Sequence, residues 1–270
     1  MVPIILDTDM AYDVDDVGAL ACLHALADGG EAKILGVMYN EIHPLGPIAI
    51  DAINKWYGRQ VPIGAFKGLL KDPDESRYLK ALSEFPHSME GDVPNAFEIY
   101  RTILKEASFK EVTIVSIGFL NNLYELLHRE SDLVRQKVSR LIVMGGLTSD
   151  AFNLVRHELV GVSEYVIRNW PTELVVSDFG VDVQTGATLE FAPKANPVRE
   201  AYRSWFLGKF QTRSSWDQIA VLYAVRGAAS GLVPISSGRG RLVNGFEWSL
   251  SSDRMYVQSE LEPREAAHVI

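Results

Sequence analysis

An acidic loop near the N-terminus holds the residues of this sequence best suited to metal chemistry. Its aspartates, which follow a short apolar segment, are Asp7, Asp9, Asp13, Asp15 and Asp16. Acidic residues at the start of a helix stabilise its free N–H groups and its dipole, which explains one or two of them. Asp7 and Asp9 instead end a strand-like segment, where adjacent carboxylates raise each other's pKa unless a cation lies among them. We therefore predict a metal site in this loop.

The ligand types in the loop indicate a hard divalent cation. No histidine or cysteine accompanies the aspartates, and carboxylate oxygens select Ca²⁺ or Mg²⁺ over Zn²⁺. The loop is not an EF-hand, because it lacks a glycine at the sixth position and a glutamate at the twelfth. In open parallel sheets ligands bind beyond the carboxyl ends of the strands. Small or polar residues also follow the other strand-like segments, namely Asn40, Asn121-Asn122, Gly145-Gly146 and Asp178.

Short apolar runs alternate with helix-like segments over most of the chain. The strand-like runs lie at 3–6, 34–38, 61–64, 112–117, 141–144 and 174–177. The helical patterns lie at 15–28, 45–58, 94–107, 121–130, 160–169 and 216–227. This alternation predicts an α/β fold with an open, mostly parallel sheet and helices on both faces. After residue 234, the pair Asn244-Gly245 between apolar segments predicts a hairpin, so we expect a small C-terminal β appendage.

Length and composition favour a single domain over residues 1–270. The chain is 47% apolar and 23% charged, and it has no linker rich in Gly, Ser or Pro and no internal repeat. Its net charge of −9 should repel nucleic acid and anionic lipid. No apolar run approaches the roughly 20 residues that span a bilayer, and no signal-peptide pattern precedes the first strand. We expect no nucleic-acid or membrane partner and a cytoplasmic location.

Several stretches of the chain resemble the calcium-dependent, inosine-uridine-preferring nucleoside hydrolases and their bacterial relatives. The most specific is Leu6-Asp7-Thr8-Asp9 followed by Asp13-Val14-Asp15-Asp16-Val17-Gly18-Ala19-Leu20, which is similar to the N-terminal signature with two extra residues before the paired aspartates. Further similar stretches occur in the family's order: Met38-Tyr39-Asn40, Ser116-Ile117-Gly118-Phe119-Leu120-Asn121-Asn122-Leu123, Val143-Met144-Gly145-Gly146, Phe152-Asn153, Asn169-Trp170-Pro171-Thr172 and Ser215-Trp216-Asp217-Gln218-Ile219-Ala220-Val221. The resemblance implies an open α/β sandwich that assembles as a homodimer or homotetramer.

The resemblance also implies a Ca²⁺ site and a catalytic base. Asp9 would be the general base that takes a proton from a metal-bound water, and it would lie beside the ion. Asp16, Asp217 and the backbone carbonyl of Asn121 would bind Ca²⁺, and Asp15 would contact both the ion and a ribose hydroxyl. The implied reaction is hydrolysis of an N-ribosyl bond, in which a cation acidifies the attacking water and orients the sugar hydroxyls.

Two further residues carry over to the substrate side of the site. Asn40 would hold the water or the sugar, and Asn153 would contact the ribose. Asp7 would support the ligands from behind, whereas Asp13 lies in the two extra residues and receives no role. We expect a small-molecule nucleoside or related riboside as the partner.

The sequence departs from the family pattern at the leaving-group side. The better-known members have a histidine before the C-terminal calcium aspartate, where this chain has Trp216. Trp216 either stacks on an aromatic leaving group or packs in the core. An expected acidic ribose contact is replaced by Ala151. Arg156 and His157 are then the nearest substrate contacts, with His157 the nearest candidate acid, although a lone loop histidine is more often structural.

Three functions therefore stay open at the level of sequence. The first is hydrolysis of ribonucleosides to ribose and free base. The second is hydrolysis of another ribofuranoside in carbohydrate metabolism, whose leaving group needs no histidine. The third is a non-catalytic homologue that binds Ca²⁺ and a sugar, although a pure binder has no need of a base at Asp9.

Overall fold

An eight-stranded open sheet forms the centre of the protein. A computed structural model of the chain describes residues 1–90, 92–146, 152–241 and 246–270. The strands in these ranges are β1 (Val2–Thr8), β2 (Ala32–Tyr39), β3 (Ile63–Ala65), β4 (Val112–Ser116), β5 (Val138–Met144), β6 (Glu173–Ser177), β7 (Gln184–Thr185), β8 (Arg213–Ser214), β9 (Leu232–Ile235), β10 (Arg239–Arg241), β11 (Glu247–Ser249) and β12 (Arg254–Ser259). The order in the main sheet is β3-β2-β1-β4-β5-β6-β12-β9. Every neighbouring pair in it is parallel except β12 with β9, as the strand-helix alternation predicted.

Helices cover both faces of this sheet. They are α1 (Asp15–Asp28), α2 (Gly46–Trp56), α3 (Leu79–Leu82), α4 (Ala96–Glu106), α5 (Asn121–Lys137), α6 (Phe152–Val155), α7 (Val160–Asn169), α8 (Pro197–Trp205), α9 (Trp216–Arg226) and α10 (Pro263–Val269). Helices α1, α2, α3, α8 and α9 share one hydrophobic cluster, whereas α4, α5 and α7 share another. The predicted α/β fold is confirmed.

The two hydrophobic clusters meet the two faces of the same strands. In β1, the fully buried Ile4 and Leu6 pack in the cluster of α1 and α9, whereas Ile5 between them packs in the cluster of α4 and α5. Successive side chains of a strand point to opposite faces of a sheet. Strands covered on both sides are therefore apolar without alternation, which is why their runs are so visible in the sequence.

Two predicted boundaries differ from the structure. The helix expected at 121–130 continues to Lys137, with a kink where Glu130 leaves helical geometry (φ −139°, ψ 41°). The C-terminal tail does contain an antiparallel pair, β10 with β11, but Asn244-Gly245 lie outside the described residues. The tail is also more than an appendage, because β12 extends the main sheet next to β6 and β9 closes its edge. No helix in the described ranges is long and apolar enough to cross a membrane.

Candidate active site

Three buried carboxylates meet where helices α1 and α9 begin. Asp15 and Asp16 lie in the first turn of α1, and Asp217 lies in the first turn of α9. Each offers a carboxylate oxygen within 4.8 Å of the oxygens of the other two, and each residue is at most 3% exposed. Because the two helices pack side by side, residues from opposite ends of the sequence meet at this point. The structure thus brings together three of the residues predicted to bind the metal.

The surroundings of these three carboxylates suit a cation. Burial raises the pKa of Asp15, Asp16 and Asp217 well above its ordinary value, and neighbouring carboxylates raise it further. The Thr8 hydroxyl donates to Asp16. Oδ1 of Asp217 is buried without any hydrogen-bond partner in the described part of the chain. A hard divalent cation would balance the charge and take the free oxygen, so the all-oxygen donor set fits Ca²⁺ or Mg²⁺.

Asp7 lies next to this group and belongs to the framework of the protein. Tyr100 Oη donates to its Oδ2 at 2.6 Å, and the side-chain amides of Asn40 and Asn122 donate to its Oδ1 at 2.5 and 3.3 Å. Burial raises the pKa of Asp7 to about 7, although these hydrogen bonds act to lower it. Asp7 thereby ties the end of β1 to α4, α5 and the residue after β2.

Asp9, the predicted base, lines a cavity beside the three carboxylates. Its pKa is raised to about 8, mainly by burial and also by the Asp74 carboxylate, while the Arg156 guanidinium acts to lower it. A Cβ atom at Gly118 would lie only 2.7 Å from Asp9 Oδ1 and 2.6 Å from Asn40 Oδ1. Glycine after β4 is therefore needed for the Asp9 carboxylate to approach the backbone.

Asn40 and Asn121 connect the strand ends around the cavity. The Asn40 side chain accepts a hydrogen bond from the Phe119 N–H at 3.2 Å and donates to the Phe119 carbonyl at 3.0 Å. The Asn121 side chain donates to the Asn40 carbonyl at 2.8 Å. Neither residue is among the described residues that line the cavity. The structure gives both a positioning role, so the predicted contacts of Asn40 with water or sugar and of the Asn121 carbonyl with the ion stay predictions.

The cavity itself is small, with a volume of about 90 Å³. Its lining consists of Asp9, Tyr12, Asp13, Asp15, Asp16, Ile117, Met144, Phe152, Asn153, Arg213, Trp216 and Asp217. Asn153 is fixed there, because its side-chain amide donates to the Ile117 carbonyl at 2.8 Å. The neighbouring Ala151 lies outside the described residues. Asn153 is thus placed where a sugar in the cavity would meet it.

Trp216 lines the same cavity, and Arg213 lies against it. The Arg213 guanidinium is 4.9 Å from the ring centre of Trp216 and 5.1 Å from that of Trp205. Its Nε and Nη2 donate to the carboxylate of Asp13. Gly180, at φ 145°, allows the chain after β6 to approach Trp216, since a Cβ there would lie 2.6 Å from Trp216 Cα. Trp216 is therefore a wall of the cavity and is already stacked on a cation.

Arg156 and His157 contact the buried Asp74, outside the cavity lining. Arg156 forms a two-pronged salt bridge with Asp74, and its guanidinium lies 4.1 Å from the ring centre of Phe152. His157 Nδ1 pairs with the Lys71 carbonyl at 2.6 Å, and its Nε2 is 3.9 Å from Asp74. Neither residue is among the described residues around the small cavity. In this arrangement they hold Asp74 in place, and their predicted contact with substrate stays a prediction.

Comparison with known proteins finds solved structures that share this architecture. No protein-family model matches the sequence, and no curated protein matches it. The solved structures that match most of the chain include three with 13–16% sequence identity. An inosine-uridine preferring nucleoside hydrolase from Bacillus anthracis has a TM-score of 0.72 at 13% identity, covering 100% of this chain and 98% of that one. A purine-preferring ribonucleoside hydrolase from Gardnerella vaginalis has a TM-score of 0.70 at 16% identity, covering 96% and 94%.

The chain has the nucleoside hydrolase fold. A third structure with this fold is the type III effector protein XopQ complexed with adenosine diphosphate ribose, with a TM-score of 0.69 at 16% identity, covering 99% of this chain and 90% of that one. At such identities the likeness concerns the fold. The function has to be argued from the side chains in the cavity.

Within the nucleoside hydrolase fold, this chain carries site residues that sequence reasoning did not find. The family pattern assigns no role to Asp13, yet Asp13 pairs with Arg213, and Tyr12 beside it lines the cavity. No motif includes Asp74, yet its carboxylate raises the pKa of Asp9. The only available signal was local: Arg213 lies just before Trp216-Asp217, and Asp72-Pro73-Asp74-Glu75 is an acidic stretch in a loop. Such runs are common on surfaces and do not by themselves indicate a site.

Proposed function

We propose that this protein hydrolyses the N-ribosyl bond of a ribonucleoside, using Ca²⁺ held by Asp15, Asp16 and Asp217 and using Asp9 as the general base. The observation that carries the proposal is that three buried carboxylates lie beside Asp9 in one cavity. The shared fold supports the same class of reaction. In the family pattern the Asn121 carbonyl would complete the ligand set.

Ca²⁺, when bound, would supply a positive charge that acidifies water in the site and orients the sugar hydroxyls. The remaining work falls to side chains of the chain. Asp9 takes the proton of the attacking water, whose oxygen forms the new bond to the anomeric carbon. The bond between the anomeric carbon and the nitrogen of the nucleobase breaks, and its electron pair leaves with the nucleobase. Positive charge near Asp9 lowers its pKa from about 8, so the carboxylate is ionised when the reaction begins.

The sugar is held by the remaining polar groups of the cavity. Asn153 lines the same cavity as the first turn of α1, and its amide is fixed by the Ile117 carbonyl. Its carbonyl oxygen and a carboxylate oxygen of Asp15 can accept hydrogen bonds from ribose hydroxyls. Fixing the hydroxyls places the anomeric carbon against Asp9, and such positioning contributes much of the rate in enzymes.

The leaving group distinguishes the first candidate function from a second one. The indole of Trp216 does not donate a catalytic proton, and its face is already in contact with Arg213. This favours a riboside whose leaving group departs without an acid at that position. The neighbour XopQ complexed with adenosine diphosphate ribose supports a ribosyl compound other than a simple nucleoside as the second candidate.

The replacement Asp9→Asn tests the proposed reaction. We expect kcat to fall about 10²–10⁴-fold, the usual contribution of a placed base, while Ca²⁺ binding stays measurable by calorimetry. Asp132→Asn is the matched control, because its side chain is 90% exposed on α5. Full activity of Asp9→Asn with Ca²⁺ bound would sink the proposed mechanism.

A panel of substrates with and without a calcium chelator separates the candidate functions. Chelator-sensitive ribose release from inosine and uridine supports the nucleoside hydrolase. Release only from other ribosides supports the second candidate. Saturable riboside binding in the presence of Ca²⁺, without turnover of any compound on long incubation, would instead identify a binding protein.

A further inference from the structure

A second, larger cavity adjoins the small one, and both share Tyr12 and Arg213 in their walls. The inner cavity measures about 90 Å³ and the outer one about 500 Å³. Ligand sites for small molecules typically occupy about 300–1,000 Å³, so the inner cavity can receive only a sugar-sized part of a substrate. The rest of the molecule has to lie in a neighbouring space, and the outer cavity is one such space.

We propose that the outer cavity binds a phosphate group of the riboside, so that this protein acts on phosphorylated ribosides. The inference rests on the proposed function and specifies its substrate class. Its basis is that two arginines, Arg77 and Arg213, line one cavity next to the proposed ribose site.

Arg213 is held with one edge available. Its Nε and Nη2 donate to Asp13, and its guanidinium carbon lies 5.1 Å from the ring centre of Trp205 and 4.9 Å from that of Trp216. Within the described ranges Nη1 makes no hydrogen bond and is not buried. A guanidinium fixed in this way presents N–H donors without further loss of side-chain freedom, which favours binding of an oxygen-rich anion.

Arg77 is the second cation and carries no partner. It is exposed, and no hydrogen bond or ion pair joins it to any other described residue. Its backbone is nevertheless anchored on both sides. Asp74 is buried and bridged to Arg156, and the fully buried Tyr78 donates its hydroxyl to the Asp13 carbonyl at 2.6 Å. Arg77 therefore extends from a fixed segment attached to the acidic loop itself.

The charges around the outer cavity leave room for an anion. Asp13 neutralises Arg213, and Arg156 neutralises Asp74. The remaining charges are Arg77 and the exposed Glu75, which also lines the cavity. A phosphate would be repelled by the carboxylates of the inner cavity, so the outer cavity is the nearest place where its oxygens meet N–H donors. The negative charge of Glu75 opposes phosphate binding, so removing this charge should strengthen the binding of phosphorylated ligands.

The experiment compares adenosine with adenosine 5′-monophosphate and with adenosine diphosphate ribose, by calorimetry on the Ca²⁺-loaded full chain. We expect each phosphorylated ligand to bind about tenfold more tightly than adenosine, the value of one charge-assisted hydrogen bond. Arg77→Gln should lower this ratio about tenfold, and Glu75→Gln should raise it. Lys80→Gln, an exposed charge on α3 outside the cavity, should leave the ratio unchanged.

The outcomes separate this inference from the proposed function. A preference for the phosphorylated ligands that depends on Arg77, without turnover, supports the phosphate site and overturns hydrolysis. Turnover of adenosine with no preference for phosphate supports hydrolysis and overturns the phosphate site. Equal effects of Arg77→Gln and Lys80→Gln would mean that only the overall charge matters, and the specific site would be abandoned. Absence of all riboside binding would overturn both.

Discussion

Asp7 and a group of three other buried aspartates lie at the same edge of the sheet, and the two differ in their hydrogen-bond partners. Asp7 receives hydrogen bonds from Tyr100, Asn40 and Asn122. The group at the starts of α1 and α9 (Asp15, Asp16 and Asp217) is equally buried. It receives a hydroxyl hydrogen bond at Asp16, while one oxygen of Asp217 has no described partner.

The difference separates a structural carboxylate from a binding carboxylate. Burial raises the pKa of both sets. Asp7 is compensated by donors that the chain itself supplies, so it is complete in the folded protein. The other set receives the Thr8 hydroxyl at Asp16, but Oδ1 of Asp217 has no described donor. A buried charge without partners costs several kcal/mol. The proposed cation would supply the missing compensation.

The largest expected effect is a loss of Ca²⁺ affinity when a carboxylate of the proposed metal site is replaced. Asp217→Asn should lower Ca²⁺ affinity by about 100-fold or more, because even the outer partners of metal ligands are worth about 10–100-fold. Asp7→Asn should change the affinity far less, since Asp7 lies behind the site. Isothermal titration with Ca²⁺ measures both. Similar losses in the two variants would mean that Asp7 belongs to the metal site.

The structural side of the comparison is tested by stability. Asp7→Ala should lower the free energy of unfolding by about 3 kcal/mol. The change removes the acceptor of the Tyr100 hydroxyl. It also leaves the amides of Asn40 and Asn122 with one acceptor each instead of two. Urea unfolding in the presence of Ca²⁺ gives the value. Tyr100→Phe, which removes a single donor, should cost about 1 kcal/mol. A loss below that of Tyr100→Phe would contradict the assignment of Asp7 to the framework.

Substitution of Gly18 tests how closely α1 and α9 pack beside the carboxylate group of Asp15, Asp16 and Asp217. A Cβ at Gly18 on α1 would collide with the amide of Gln218 and the hydroxyl of Tyr202. Gly18→Ala should therefore cost about 2 kcal/mol and weaken Ca²⁺ binding, because α1 has to move away from α9. The control is Gly161→Ala on α7, where a Cβ meets nothing within 4 Å. That change should stabilise the protein by about 0.5–1 kcal/mol, as for Gly to Ala in a helix.

The smallest expected effect is a pH dependence that Ca²⁺ removes. The pKa values of Asp7 and Asp9 are about 7 and 8 in the folded protein, against an ordinary value of 3.8. Between roughly pH 4 and 8 the folded state therefore binds more protons than the unfolded state, and stability falls as pH rises. Without metal, Tm should drop by several degrees from pH 5 to pH 8. With Ca²⁺ the drop should shrink, and a Tm that rises with pH in the metal-free protein would refute the sign.

The periodicity of apolar residues predicts the first six strands of the sheet, but it predicts neither strand β12 nor the kink in α5. The apolar runs predicted β1 to β6 because those strands are covered on both faces. Strand β12 (Arg254–Ser259) gives no such run, and nothing local reveals that it pairs with β6. The kink at Glu130 is equally invisible in the sequence, because it interrupts a helix whose apolar pattern stops near that point.

The site was predictable only where its residues are contiguous or resemble a known motif. The clustering of Asp15 and Asp16 with Asp9 indicates a metal site in the loop, and the family resemblance adds Asp217 to it. Arg213 pairs with Asp13 across 200 positions, and Arg156 pairs with Asp74 across 82. Pairings of this kind depend on how α6, α9 and the loop before α3 fold over the sheet, and single sequences contain no local trace of them.

The arrangement of the carboxylate group has a consequence for biosynthesis. Asp15 and Asp16 are made about 200 residues before Asp217. Synthesis runs from the N-terminus, so α1 emerges from the ribosome well before the third carboxylate exists. The proposed cation, if it needs all three ligands, would bind only after α9 has been made. It would then act late in folding, by holding α1 against α9.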